Sequence, residues 1–269
     1  MYLHHFGLKY DPLGKSMKAI IDTPQHHQLK QQLQWLLETK GIGAITGDPG
    51  IGKTTGVRQW VSSLNPLTHK VIYQPDNHFH AFDVYGQFAE SLGLNAIHRY
   101  SRLWRTLKQE LLHYSEEKKV TPIWILDEAH QLPLNFFAEL PAFLNFSFDT
   151  RDIMLIILIG NAKLHQILQR SIYAPLASRM QFHFEWKSLE EFATFEQFVT
   201  TAFLNAGAQQ LPMGQSALKL LHMASKGRLR QTHQIITKSL QLAAAANLNH
   251  ISDDAIQHAI QQLRSIAAH

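Results

Sequence analysis

Residues 47–54 read Gly-Asp-Pro-Gly-Ile-Gly-Lys-Thr, a G-x-x-x-x-G-K-T pattern with every required position filled. Its chemistry is phosphate binding. Gly47, Gly50 and Gly52 let the backbone curl so that its N–H groups face inward, and Asp48, Pro49 and Ile51 complete the loop. The Lys53 ammonium reaches the outer phosphates, and the Thr54 hydroxyl is a ligand for Mg²⁺. Thr55 carries the loop into a helix expected over 54–64, whose N-terminal dipole adds to anion binding. A second pair of residues complements the loop. The apolar run Ile123-Trp124-Ile125-Leu126 ends in Asp127-Glu128. A buried strand delivering two carboxylates at its end suits a nucleotide hydrolase: Asp127 to hold Mg²⁺ through water, Glu128 to orient or activate the attacking water.

Short apolar runs alternate with helical patterns and would position these groups. Strands are expected over 42–46, 70–74, 123–127, 153–159 and 181–185, with helices over 24–39, 54–64, 82–92, 101–118 and 163–169 between them. Strand, helix, strand repetition implies an α/β fold, a parallel five-stranded sheet with helices on both faces. Such sheets bind ligands beyond the carboxyl ends of their strands, where both motifs fall. After about residue 187 no further β-branched run appears. Residues 189–205, 215–225, 229–246 and 252–267 read as helices, the last opening on Ser252-Asp253-Asp254 with acidic residues in its first turn. The reading is therefore an α/β nucleotide-binding domain over 1–187 with an N-terminal extension, then a small all-helical lid over 188–269.

Composition narrows the partners. The chain has 269 residues, 45% of them apolar, no cysteine and a net charge of +4. A disulfide framework and thiolate metal sites are excluded. Neither an N-terminal export signal nor an apolar stretch of membrane-spanning length is present, so a cytoplasmic protein without a membrane partner is expected. Among the 17 histidines, His26-His27 and His78-x-His80 invite a metal reading, but no further ligand recurs at suitable spacing around them. Arg99, Arg102, Arg105 and Lys108 recur every third residue, with Tyr100 and Trp104 interleaved. That row could follow a nucleic-acid backbone. On the residues alone it better suits the solvated face of an amphipathic helix whose apolar side is Leu103, Leu107 and Leu111.

Several further segments resemble the ExeA-like AAA+ ATPases. Phe6-Gly7-Leu8-Lys9-Tyr10-Asp11-Pro12-Leu13 is similar to their F-G-L-x-x-x-P-F opening. Leu144-Asn145-Phe146-x-Phe148-Asp149 is similar to their L-x-N-F-x-x-D segment, and residues 157–164, Ile-Leu-Ile-Gly-Asn-Ala-Lys-Leu, to I-L-x-G-Q-P-x-L. Ala206-Gly207 in the lid fits too. The grouping holds ATPases of mobile elements akin to the transposition regulators TnsC, TniB and MuB, and longer membrane-spanning secretion-assembly proteins. Departures are Leu13 for the second Phe, Asn161 for Gln, and Gly227-Arg228-Leu229-Arg230 for G-x-P-R.

The resemblance implies ATP and Mg²⁺ and assigns three more roles. Asn161 stands at the sensor of the γ-phosphate or attacking water, though a polar strand cap would look the same. Arg230, or its neighbour Arg228, stands at the lid sensor. Arg179, or Arg170, stands at the arginine finger, supplied to a neighbouring subunit's phosphate. It further implies double-stranded DNA, for which the row Arg99, Arg102 and Arg105 is the candidate contact, a homo-oligomer (ring or helical filament), and a transposase with or without a target-selection protein. Two other readings stand beside it. One is a secretion-assembly ATPase, disfavoured by the lack of a spanning segment and of an extra C-terminal domain. The other takes Asp127-Glu128-Ala129-His130 as a helicase box, which needs a second sheet that the pattern after 187 lacks.

Overall fold

The computed structural model describes residues 2–14, 21–75 and 80–267. In chain order the elements are α1 (Tyr2–His5), α2 (Pro24–Thr39), β1 (Gly41–Thr46), α3 (Lys53–Ser62), β2 (His69–Gln74), α4 (Ala81–Ser91), α5 (Tyr100–Glu116) and β3 (Thr121–Leu126). They continue with α6 (Leu134–Phe143), β4 (Leu155–Gly160), α7 (Ala162–Leu168), α8 (Ala174–Ala177) and β5 (Met180–Glu185). Four helices follow: α9 (Phe192–Asn205), α10 (Gln215–Ser225), α11 (Leu229–Ala245) and α12 (Asp253–Ala267). The chain divides into two compact units, residues 25–49 with 53–186, and residues 1–24 and 50–52 with 187–269.

The first unit is a five-stranded sheet in the order β2-β3-β4-β1-β5, and every pairing in it is parallel. β1 and β4 are central and buried at all positions. Their uniformly apolar sequences are what a strand covered on both faces requires. Along β4, Ile156 and Leu158 join a core with α4, α5, α6, α7 and α8. On the other face Gly43 of β1 lies against Leu36 of α2, and Gly56 of α3 lies against Leu29 of α2 and Trp186. Edge strands β2 and β5 carry the exposed and half-buried positions.

Each expected strand is present within two residues of its predicted bounds. Ile153 and Met154 are buried but precede β4. The helix α6 lacks a helical period in sequence because its segment is apolar nearly throughout and carries Pro141 inside it. Only Phe136, Phe137, Leu140 and Phe143 are buried; the apolar residues Leu134, Ala138 and Ala142 on its exposed positions blur the amphipathic pattern that marks a helix.

The second unit is helical, with an isolated bridge Met213–Ile251. Among the described residues no second sheet follows Trp186, so the helicase reading has no second sheet to rest on. Its core gathers Phe195, Val199, Phe203, Leu218, Leu221, Ile236, Leu240 and Ile256. The opening residues belong here: Asp11 Oδ2 accepts from His233 Nε2 at 2.9 Å and from Thr237 Oγ1 at 3.2 Å, both on α11. The described residues 2–14 and 21–24 group by their contacts with the helices rather than with the α/β domain expected over 1–187. Gly227 has φ +68, and a Cβ there would come within 2.2 Å of the Leu189 carbonyl oxygen.

Candidate functional site

The parallel register brings the chemistry to one edge of the sheet. Thr46, the last residue of β1, pairs with Gly160 of β4, and Leu126 of β3 pairs with Leu158. The residues that follow these strands, Gly47, Asp127 and Asn161, are therefore neighbours at the carboxyl ends. Gly47, Gly50 and Gly52 have φ of 150°, 78° and 110°, backbone turns that side-chain-bearing residues seldom adopt. Ile51 is buried, whereas Asp48 and Pro49 are exposed. Lys53 opens α3 and is only 9% exposed. Its Nζ donates to the Gly47 and Asp48 carbonyls at 2.8 and 2.9 Å. The ammonium is thus folded into the loop that bears it. Thr54 is exposed and Thr55 half-buried in the first turn of α3.

Thr54 Oγ1 donates to Asp127 Oδ2 at 2.8 Å, joining two hard oxygen ligands from elements far apart in sequence. Such a pair fits a divalent cation that prefers carboxylate, hydroxyl and water oxygens. Asp127 is 7% exposed. Tyr73 OH on β2 also donates to its Oδ2, at 2.8 Å, and the Glu128 N–H to its Oδ1, at 2.9 Å. Tyr73 was missed in sequence, where it is one aromatic in a short strand; only the β2–β3 register reveals it.

Glu128 is left-handed, with φ 50°. Its side chain is 56% exposed and stands 3.4 Å from His130 Nδ1. Burial pushes the His130 imidazolium below its ordinary range, and the Lys163 and Lys53 charges push the same way against Glu128 and Asp127. Asn161 Oδ1 accepts from the Lys163 N–H at 2.9 Å. The residue is thus the N-cap of α7, and its Nδ2 group remains able to donate elsewhere.

Arg179 lies at the opposite edge. It precedes β5, and a Cβ on Gly41 at the start of β1 would be 3.5 Å from the Arg179 carbonyl oxygen. The five steps from Gly41 to Thr46 along the strand span about 16 Å. Arg179 Nη2 pairs with Asp149 Oδ1 at 2.6 Å. Arg170 is exposed at the end of α7. Gly50–Gly52 group with the helical unit. Within that unit the Arg230 N–H donates to the Gly50 carbonyl at 2.9 Å, while Arg228 is the N-cap of α11.

Arg99, Arg102 and Arg105 are exposed at the start of α5. Tyr100 and Trp104 instead pack edge-on against each other and towards Tyr85 and Phe143. Lys108 leaves the row, donating to the Ala142 and Asn145 carbonyls at 3.0 and 2.9 Å, where it caps α6. His26 is buried edge-on against Trp186, and His78 lies outside the described residues.

A phosphate loop after the first strand, an acidic pair after the third and a parallel sheet in this order define a P-loop nucleotide-binding fold. More particularly, the AAA domain family matches residues 32–168, or 137 of 269 residues, and the chain belongs to that family. It is an AAA+ ATPase by fold. It is similar to general secretion pathway protein A of Aeromonas hydrophila, 24% identical over 255 residues, which is 93% of this chain and 46% of the relative. The chain thus spans just under half the length of that relative. Among solved structures, Cdc6p of Pyrobaculum aerophilum superposes with a TM-score of 0.67 at 17% identity, covering 89% of this chain and 67% of the other. The Aeropyrum pernix ORC1 protein in complex with DNA gives 0.69 at 14% identity, covering 95% and 69%. At such identities the likeness is one of fold. No helix among the described residues is long and apolar enough to cross a membrane.

Proposed function

We propose that this chain is an ATP-hydrolysing switch that assembles with copies of itself on double-stranded DNA, as a ring or helical filament, and there recruits or activates a transposase. The loop residues 47–55 would cradle the phosphates, with Lys53 against the outer two. Thr54 and Asp127 would hold Mg²⁺, which when bound offsets charge on the phosphate oxygens. Glu128 would orient or deprotonate the attacking water, Asn161 would donate from Nδ2 to that water or to the γ-phosphate, and Arg230 would be the second nucleotide sensor. Arg179 would act on a neighbour's nucleotide.

The observation that carries the oligomeric reading is the separation of Arg179 from its own phosphate loop by the length of β1. A finger at that edge serves only a second molecule. The DNA reading is supported by Arg99, Arg102 and Arg105, which are exposed and among the described residues have no carboxylate partner, and by the DNA held in the ORC1 structure of the same fold. The transposase and any target-selection partner, together with a cytoplasmic setting away from membranes, follow the sequence resemblance.

The test is DNA binding against salt, with and without a non-hydrolysable ATP analogue. Binding should need the analogue, show little sequence preference and weaken steeply with salt. Replacing all three arginines with alanine should flatten the slope by about one unit for each lost phosphate contact while leaving nucleotide binding intact. Absence of DNA binding at low salt with any nucleotide would defeat the reading. It would favour the alternative of a secretion-assembly ATPase, for which the specific support is the similarity to general secretion pathway protein A.

A further inference from the structure

The turn 147–149 stands outside the chemistry described so far. Ser147, Phe148 and Asp149 have φ of 49°, 57° and 64°, three successive left-handed residues of which none is glycine. L-residues seldom adopt this conformation singly, and a run of them persists only where surrounding contacts impose it. Core packing of the turn's own apolar side chain is not that contact, because Phe148 is fully exposed. The contacts present are the Asp149 N–H to the Phe146 carbonyl at 2.9 Å, the Thr150 hydroxyl to the Ser147 carbonyl at 2.6 Å, and the ion pair of Asp149 with Arg179. Phe146, just before the turn, is buried and anchors it. The effect of this backbone is to aim the Asp149 carboxylate at one guanidinium.

We infer that Asp149 is a positioning residue that parks Arg179 in the isolated subunit, so that each finger is released only when a second copy of this chain presents its nucleotide. The inference rests on Arg179 acting in trans, as proposed above. In the pair, the Arg179 side chain is 22% exposed and that of Asp149 51%. Water therefore screens the pair, and breaking it is inexpensive. A triphosphate carries more charge than one carboxylate and offers oxygens suited to a planar guanidinium. Exchange of Asp149 for a neighbour's phosphates is thus favoured when nucleotide is present and unfavoured when it is absent. The pair sets a threshold for assembly-dependent turnover without altering the finger itself.

The experiment measures ATP turnover against protein concentration for wild type, D149N, D149E and R179A, with DNA present. Asparagine tolerates left-handed backbone, so D149N removes the charge and keeps the turn. Thermal unfolding checks its fold, and D149S removes the same charge if asparagine proves unsuitable. The expected result is a half-maximal protein concentration up to about five-fold lower for D149N, the most that a half-exposed ion pair is worth. Plateau turnover should be unchanged, D149E should stay close to wild type, and R179A should be inactive. A general structural role for Asp149 would instead lower the plateau. If R179A is inactive but D149N has an unchanged or higher half-maximal concentration, parking is overturned and the finger stands. If R179A turns over ATP like wild type, the finger reading fails and parking with it.

Discussion

Pairing two inactive variants tests the division of the site between subunits. Glu128→Gln keeps the shape of the glutamate but cannot take a proton. Arg179→Ala removes the finger and leaves Glu128 in place. Because Arg179 stands beside Gly41 and the phosphate loop follows Thr46, the side chain would have to bridge about 16 Å of strand to reach its own nucleotide. A guanidinium reaches less than half that distance, so in-subunit rescue is geometrically closed. Each variant alone should lose about 10³-fold or more in turnover, the usual worth of an arginine finger. In an equimolar random mixture, an interface works when the nucleotide-holding subunit is Arg179→Ala and the neighbour is Glu128→Gln. The chance is one half times one half, so about a quarter of wild-type activity should return. Phosphate release is the assay, run at a protein concentration where cross-linking confirms mixed assemblies. A mixture no more active than its components would refute action in trans from Arg179, and an active Arg179→Ala variant by itself would refute the finger.

Three further outcomes follow from single contacts. Lys53→Ala should abolish measurable binding of a labelled ATP analogue, since it removes both the charge for the outer phosphates and the donor that ties the Gly47 and Asp48 carbonyls; retained affinity in a titration would argue against the loop assignment. Gly56→Ala should lower the melting temperature by about 2–4 °C. Its Cβ would meet the Trp186 ring at 2.6 Å and Leu29 at 3.3 Å, an overpacking cost of about 1–3 kcal/mol that exceeds the gain of about 1 kcal/mol in helix propensity; a rise in melting temperature would refute the packing argument. His183 lies 2.6 Å from Thr46 Oγ1 and stacks on His165. Burial first, then His165, holds its pKa below 6.5, with Glu185 opposing. The folded state therefore binds this proton less readily than the unfolded chain. Stability is present above about pH 6.5 and is lost as pH falls below it. Urea midpoints at neutral and mildly acid pH should converge in His183→Gln relative to wild type, and an equal drop in both would count against the assignment.

The loop over residues 47–54 was legible in the sequence because its turns are local: Gly47, Gly50 and Gly52 take positive φ within a few consecutive residues. The strands were legible because a parallel sheet covered on both faces demands uninterrupted apolar runs, and β1, β3 and β4 are such runs. The acidic pair was legible because it ends one of them. Pairings across the chain were not legible. Tyr73 supports Asp127 from 54 residues away through strand register, and Lys108 quits the basic row to cap a helix that has no amphipathic signature. Asp11, near the start of the chain, meets His233 of the helical unit, and Asp149 meets Arg179 because an unusual left-handed turn aims it there. One-dimensional spacing determined which groups could do chemistry and at which strand ends they stand. Only the tertiary structure decided their partners, because register, capping and turn geometry join residues by their position in space, and a local pattern carries no record of that distance.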